Sequence, residues 1–208
     1  MSKSVILADF QKRDKWDFKE ALEKETSCSW DVLFCQTNHF HGSKLKVLCR
    51  YFVYFAFSFL MFLKRNRYEQ VVAWQQFYGL LIAFFCRVFH VKRAPKIYIM
   101  TFIYKPKHSL YHKFMQYIVS SRYITKMIVL SDEERNYYAT LFGQPVEKFF
   151  STRIGVTDQA FNFPPSADRK KYYLSVGRSN RDYNFLRNVW KKSYGELVII
   201  CDSYKEEP

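Results

Sequence analysis

The chain has 208 residues, 49% of them hydrophobic, which is enough apolar side chain for one well-packed domain and excludes wholesale disorder. Its five cysteines are odd in number and have no paired spacing, so we expect reduced thiols in a cytoplasmic protein. The formal net charge of +14 favours an anionic partner, either nucleic acid or a membrane surface.

Strands and helices alternate along the chain. Short apolar runs predict strands, and stretches with a period near 3.6 predict helices. In chain order the predicted elements are a strand at 4–10, a helix at 16–25, a strand at 30–38, a helix at 45–63, a strand at 68–76, a helix at 77–89, a strand at 96–102, a helix at 109–121, a strand at 126–131 and a helix through 141. This alternation predicts an α/β fold with a Rossmann-like, doubly wound parallel sheet.

Both ends of the helix that runs through Leu141 carry clear signals. Ser131 followed by three acidic residues predicts the N-terminal cap, because acids suit the positive end of a helix. Gly143 predicts the end of the same helix.

The alternation breaks at TDQAFNFPPSADRK (157–170), whose Pro164-Pro165 pair indicates a linker. It restarts with a strand at 171–176, a helix at 182–192 and a strand at 196–202. We therefore predict a domain at 1–160, a linker at 161–170 and, at 171–208, the incomplete start of a second Rossmann-like domain.

The positive charge is concentrated in one segment. Between Lys44 and Lys126 there are fifteen Lys or Arg and a single acid, Glu69, together with 21 of the 41 aromatic residues. Basic and aromatic residues together suit a membrane surface or nucleic acid, although solvated lysines over a Phe-rich core give the same composition. Because long apolar helices between strands match none of the usual nucleic-acid-binding motifs, we expect no nucleic-acid partner.

The stretch YFVYFAFSFLMFL (51–63) has thirteen residues without a charge, against the roughly twenty that a membrane-spanning helix needs. Cations flank it at Arg50 and at Lys64, Arg65 and Arg67. It is either a buried core helix or a helix lying at a bilayer interface, with its rings inserted and its cations on anionic headgroups. We expect the interfacial helix, with these four cations in contact with the membrane.

Four further stretches carry a family resemblance. They are VVAWQQFYG (71–79), IMTFIYKPK (99–107), MIVLSDEERNYYATLFGQPVEKFFSTRIGV (127–156) and YLSVGRSNRDYNFL (173–186). Together they resemble the GT-B-type glycosyltransferases of the family-four kind, from about Tyr68 onward. In that family the N-terminal domain binds the acceptor, the C-terminal domain binds the nucleotide-sugar, and the reaction takes place in the cleft between them.

The resemblance implies that Gly177 and Arg178, with Arg181 as a second cation, bind the donor diphosphate. Glycine lets the backbone approach a phosphate, and arginine presents a planar charged fork to its oxygens. The alternative is that both arginines are solvated turn residues. Tyr183 stands where the family more often has a lysine.

Three residues are candidates for the cleft and the acceptor. Gln75 and Gln76 end the third predicted strand, where open α/β sheets place ligands, although polar residues also end strands for structural reasons. Thr101 lies at the end of the fourth predicted strand, in the region where many relatives have a histidine, so the catalytic residues stay unassigned.

A metal site at Cys35, His39 and His41 lacks a fourth ligand, and relatives of this type generally need no metal, so we expect none. We likewise expect no cofactor beyond the donor substrate. The expected activity is transfer of a sugar from a nucleotide-sugar to a glycan or lipid-linked glycan, with retention of configuration. The expected location is the cytoplasmic face of the cell membrane.

Because the family's late Glu-x7-Glu element has no counterpart here, we expect these 208 residues alone to be inactive. The alternative is a truncated, non-catalytic protein that binds a membrane or a glycan.

Overall fold

The computed structural model describes residues 3–10, 15–37, 44–153, 171–177 and 182–200. The chain divides into two compact units, Met1–Gly155 and Val156–Pro208.

The first unit is built from alternating strands and helices. They are β1 (Ser4–Ala8), α1 (Asp17–Thr26), β2 (Trp30–Phe34), α2 (Lys44–Leu63), β3 (Gln70–Ala73), α3 (Gln76–Val88), β4 (Lys96–Ile99), α4 (Ser109–Val119), β5 (Ile124–Val129), α5 (Asp132–Phe142) and β6 (Phe149–Ser151). Short 3-10 turns at Arg65–Arg67 and Val146–Lys148 lead into β3 and β6. The predicted order of elements is confirmed, and β6 is one strand that the sequence pattern did not predict.

The six strands form one parallel sheet in the order β2-β1-β3-β4-β5-β6. The prediction of a parallel α/β sheet of Rossmann-like type is therefore confirmed. The chain first moves from β1 to β2 and then returns past β1 to β3. The strand order therefore reverses between β1 and β3, which is where open α/β sheets usually bind ligands.

Helices cover the two faces of the sheet unequally. The large core lies on the face covered by α2, α3, α4 and α5, where Leu7, Ile99 and Met127 of the strands are fully buried. A smaller core on the other face joins Ile6, Trp30 and Val72 to α1. This distribution follows from right-handed crossovers. The connection from β1 to β2 runs one way across the sheet and places α1 on one face, whereas all later connections run the opposite way and place their helices on the other face.

Local sequence determines where α5 begins and ends. The Ser131 hydroxyl accepts the backbone N–H of Glu134 at 3.1 Å, which caps the helix, and the Glu134 carboxylate accepts the N–H of Leu130, the residue before the cap, at 2.9 Å. Gly143 ends the helix in the left-handed conformation, with φ of 58°. Both predicted end signals are confirmed.

In the second unit β7 (Tyr172–Val176) pairs in parallel with β8 (Glu196–Ile200), and α6 (Tyr183–Val189) lies between them in the chain. This is the predicted β-α-β unit, although α6 is shorter than the predicted helix at 182–192. Most side chains of β7 are exposed.

Candidate functional site

Four polar side chains meet at the carboxyl edge of the sheet, at the point where the strand order reverses. We call them the switch-point cluster: Asp9, Thr37, Tyr54 and Gln75. Asp9 directly follows β1, Thr37 follows β2 and Gln75 follows β3, so three strand ends contribute to it. The fourth member comes from the buried side of α2.

Gln75 connects the cluster. Its Nε2 donates to Asp9 Oδ2 at 2.9 Å and to the Tyr54 hydroxyl at 3.3 Å, and its Oε1 accepts the N–H of Phe77 at 3.4 Å. The Tyr54 hydroxyl also lies 3.3 Å from Thr37 Oγ1. Both amide hydrogens of Gln75 are therefore engaged within the protein, and this side chain orients Asp9.

Burial keeps the hydroxyls around Asp9 neutral. Desolvation raises the pKa of Tyr54, and it also raises the pKa of Tyr78, whose hydroxyl donates to the carbonyl of Cys35 at 3.0 Å. Burial raises the pKa of the Cys35 thiol as well. The half-buried Asp9 carboxylate thus lies near neutral hydroxyl and thiol groups, and the Arg50 guanidinium partly opposes the rise in the Tyr54 pKa. Asp9 Oδ2 accepts from Gln75, so among the described contacts Oδ1 is the oxygen placed to accept a hydroxyl from a ligand.

An aromatic cluster lies on the α1 side of the sheet. It consists of Phe10, Trp16, Phe18, Phe34 and Trp74. Phe10 follows Asp9 and Trp74 precedes Gln75 in the chain, and both rings are half-buried. The polar cluster is completed from the other side of the sheet, by Tyr54 of α2.

Gln76 and Thr101 lie at the same edge of the sheet. The Gln76 Oε1 accepts the backbone N–H of Ile103 at 3.0 Å, so Gln76 ties α3 to the segment after β4. Thr101 is exposed and has φ of 52°, a left-handed conformation that is strained for a threonine. Backbone strain of this kind clusters at functional sites. It therefore favours Thr101 over Gln76 as a residue with a functional role.

Of the predicted diphosphate-binding residues, the structure describes Gly177; Arg178 and Arg181 lie outside the described residues. Gly177 directly follows β7, and its carbonyl accepts the Tyr183 hydroxyl at 2.8 Å. The Asp182 carboxylate caps the N-terminus of α6, where it accepts the N–H of Phe185 at 2.8 Å. Any diphosphate binding here therefore depends on the arginines and on the glycine backbone, not on the helix end.

The four predicted membrane-contact cations differ in their environments. Lys64 and Arg67 are exposed, as expected. Arg65 is half-buried, with its guanidinium 4.6 Å from the Phe62 ring centre and its Nη1 donating to the Phe62 carbonyl at 3.1 Å. Arg50 is also half-buried, 5.8 Å from the Tyr51 ring centre.

Within the described ranges no three His, Cys, Asp or Glu side chains gather as a set of metal ligands. His39 and His41 lie outside those ranges.

Sequence reasoning missed Asp9, Thr37 and Tyr54. Asp9 carried a usable signal, since it is a carboxylate placed directly after a buried strand, whereas Tyr54 is hidden inside an apolar run. No protein-family model matches this chain, and no curated protein matches it either. The proposals below therefore depend on the geometry, on the composition and on the resemblance described above.

Proposed function

We propose that this chain forms the acceptor-binding domain and the beginning of the donor-binding domain of a GT-B-type glycosyltransferase. The reaction is transfer of a sugar from a nucleotide-sugar to a hydroxyl of a glycan or lipid-linked glycan at the cytoplasmic face of the membrane. The donor diphosphate is assigned to Gly177, Arg178 and Arg181.

The observation that carries this proposal is the switch-point cluster. A glycosyl acceptor is recognised through hydroxyl groups, and the Asp9 carboxylate is an acceptor of hydrogen bonds held in place by Gln75. The half-buried rings of Phe10 and Trp74, which adjoin Asp9 and Gln75 in the chain, are assigned to the apolar face of the sugar. Two features support the same proposal: the parallel sheet, and the second β-α-β unit with a glycine directly after its first strand.

The test is sugar transfer by the protein expressed from its native reading frame. Membranes from the expressing cells are incubated with labelled nucleotide-sugars, and the label is measured in the lipid and glycan fractions. We expect one nucleotide-sugar to label a product. Asp9→Asn should lower kcat/KM for the acceptor about 10- to 100-fold and leave the KM for the donor unchanged, because a hydrogen bond to a charged group is lost.

Asp31→Asn is the matched control, since Asp31 is an exposed carboxylate on β2 that belongs to neither cluster. It should behave like the parent protein. If no nucleotide-sugar labels any product, the glycosyltransferase proposal is wrong. If Asp9→Asn weakens donor and acceptor equally, Asp9 is not an acceptor residue.

A second candidate function is a non-catalytic membrane-binding protein. The specific observation in its favour is the exposed apolar surface of α2, which would bind a bilayer with or without catalysis. Membrane binding without transfer of any sugar would select this alternative.

A further inference from the structure

One side of α2 is apolar and exposed along its whole length. Leu45, Leu48, Phe52, Phe55 and Leu63 are 71%, 65%, 71%, 49% and 56% exposed. Their spacing of three, four and eight residues places them on the same side of the helix. The opposite side is buried in the core through Tyr54, Ser58, Met61 and Phe62. A helix with this arrangement exposes far more apolar surface than an isolated surface leucine would.

The first two turns of α2 extend beyond the carboxyl edge of the sheet. Tyr54 reaches the switch-point cluster at that edge, and Tyr51 contacts the ring of Phe77 in the first turn of α3 at 6.0 Å. The preceding residues 44–50 are exposed or half-buried, and none is buried. Seven helical residues span about 10 Å, so Leu45 and Leu48 project from the body of the fold.

The exposed apolar surface continues onto α3 and α4. The Phe62 ring stacks on Phe89 at 5.3 Å, and Phe84 contacts Phe114 at 5.5 Å. Phe89 and Phe114 are 58% and 42% exposed. We call this surface the insertion face, defined by its exposed members Leu45, Leu48, Phe52, Phe55, Leu63, Phe89 and Phe114.

Charge complementarity identifies the partner. Of the fifteen Lys and Arg between Lys44 and Lys126, eleven are exposed, and Glu69 is the one acid in that segment. A second copy of the chain would bring like charges together, and nucleic acid would not bury leucine and phenylalanine. An anionic bilayer matches both properties, because its headgroups attract the cations and its acyl chains accept the rings.

By length and composition α2 could also cross a membrane, and it is the one helix with that property in the described part of the chain. Its buried side, however, packs in the same core as the strands and α3. A helix fixed in this way on a sheet can lie on a bilayer but cannot leave the sheet to span one without exposing that core.

We propose that the insertion face docks the protein on anionic membranes, with the projecting start of α2 inserted among the lipids and the outer sides of α3 and α4 lying against the headgroups. The cations that assist are exposed: Lys64 and Arg67 at the end of α2, and Lys113 on α4. Arg65 is not among them, because it packs on Phe62. This inference does not depend on the catalytic proposal.

The test is co-sedimentation of the 208-residue protein with two kinds of vesicle, phosphatidylcholine alone and phosphatidylcholine mixed with phosphatidylglycerol. The parent should bind the mixed vesicles, and added salt should weaken that binding without abolishing it. The triple variant Leu45→Ser, Leu48→Ser, Phe52→Ser should reduce partitioning at least about tenfold on both vesicles, because the apolar contribution is lost.

The triple variant Lys64→Gln, Arg67→Gln, Lys113→Gln tests the electrostatic contribution. It should reduce partitioning by about fivefold per removed charge on the mixed vesicles and have little effect on phosphatidylcholine alone. The matched control is Tyr137→Ser with Phe150→Ser, which removes exposed aromatic residues outside the insertion face. This control should bind as the parent does.

A second measurement locates the inserted segment. Cys49 is exposed within the first turns of α2, whereas Cys86 is buried, and its pKa is raised to about 11 by that burial. A polarity-sensitive dye on Cys49, in a background with Cys28→Ser, Cys35→Ser and Cys201→Ser, should shift to shorter wavelength on binding mixed vesicles.

Three results would overturn the proposal: a parent protein that stays in the supernatant with both vesicles, an apolar variant that binds as well as the parent, or a control that loses binding equally. Circular dichroism of each variant separates loss of the surface from loss of the fold. Absence of glycosyl transfer would leave this inference intact. Absence of membrane binding would leave the sugar transfer itself intact but would overturn its location at the membrane.

Discussion

Gly79 allows α3 to lie directly on the sheet. A Cβ at this position would be 2.8 Å from Ile99 Cγ1 and 2.9 Å from the Cβ of Ala73, both shorter than normal contacts. Gly79→Ala would gain about 1 kcal/mol of helix propensity but would introduce a clash costing about 1–3 kcal/mol. Because the Ala73 Cβ cannot rotate away, we expect the clash to cost close to the upper end of that range, with a net destabilisation of up to about 2 kcal/mol in urea unfolding.

Gly143→Ala tests backbone strain without a clash, in contrast to Gly79→Ala. The backbone of Gly143 is left-handed, with φ of 58°, and an added Cβ there would meet no atom within 4 Å. That variant should lose about 1–2 kcal/mol through backbone strain alone. A Gly79→Ala protein as stable as the parent would show that α3 can move away from the sheet at little cost.

Lys148 makes stability depend on alkaline pH. Its Nζ donates to the Ser121 carbonyl at 2.9 Å, and burial, with a smaller effect from Arg87, lowers the Lys148 pKa from 10.5 to about 8. The unfolded chain therefore binds more protons than the folded one between these two values. The contribution of Lys148 should therefore raise stability with pH through that window, because the charged lysine is disfavoured in the folded state at lower pH. Cys86 acts in the opposite direction at the alkaline end, since burial raises its pKa to about 11.

The measurement is the free energy of unfolding in urea as pH is raised from about 7 to about 10. In Lys148→Met the rise should be smaller by about 1–3 kcal/mol, since the titrating group is absent. Lys24→Met, at an exposed lysine of α1, should keep the parent's pH dependence. Identical pH profiles for Lys148→Met and the parent would contradict the assignment.

The site could be predicted from the sequence only where a residue's place in the chain determined its environment. Gln75 was found because it follows a buried strand, and Asp9 could have been found for the same reason. Tyr54 could not, because one hydroxyl in a run of thirteen uncharged residues does not reveal that it faces a glutamine 21 positions later. The orienting role of Gln75 could likewise be recognised only from its three hydrogen bonds in the structure.

At the scale of elements, hydrophobic period predicted which segments form strands and helices, and capping residues predicted where α5 begins and ends. The strands were predicted too long at their carboxyl ends, as at 68–76 against Gln70–Ala73. The apolar pattern there continues into Trp74, which packs in the aromatic cluster after the ladder has ended. Strand β6 was missed because three residues of Phe-Phe-Ser give no periodic signal.

The apolar run of α2 was open to two interpretations, a buried core helix or a helix at a bilayer interface, and the structure shows one buried side and one exposed apolar side. Its buried side packs in the core as a soluble helix would, through Met61 and Phe62. Its other side retains exposed Phe52 and Phe55. Sequence alone could not divide the helix in this way, because residues without charge surround it and the buried side is chosen by the sheet beneath.

At the scale of the whole molecule, the positive charge is unevenly distributed along the chain. The segment with the positive excess supplies α2, α3 and α4, the helices that carry the insertion face. Not all of its cations are free for a membrane: Arg87 donates to the Tyr117 carbonyl and to Ser120 Oγ, and Lys126 donates to the Glu147 carbonyl. The net charge therefore overestimates the number of cations that can contact a bilayer.

The two sheets should differ sharply in local stability. In β7 the side chains of Tyr173, Leu174 and Val176 are 58%, 52% and 54% exposed, and β8 is its one partner strand among the described residues. A two-stranded sheet with exposed apolar side chains opens easily, whereas all five residues of β1 are buried between two neighbours. We expect amide hydrogens of β7 to exchange at least about a hundredfold faster than those of β1, after correction for intrinsic rates.

Hydrogen exchange followed by mass spectrometry measures this difference on the intact protein. Strand β2 is the matched control, because it is an edge strand of the six-stranded sheet and its protection shows the effect of an edge alone. If β7 exchanged as slowly as β1, its apolar side chains would have to be covered in solution. If it exchanged no faster than β2, being at an edge would suffice to explain the result. Because β2 and β7 are both edge strands, faster exchange in β7 than in β2 would show that the low protection of β7 comes from the small core of the second unit.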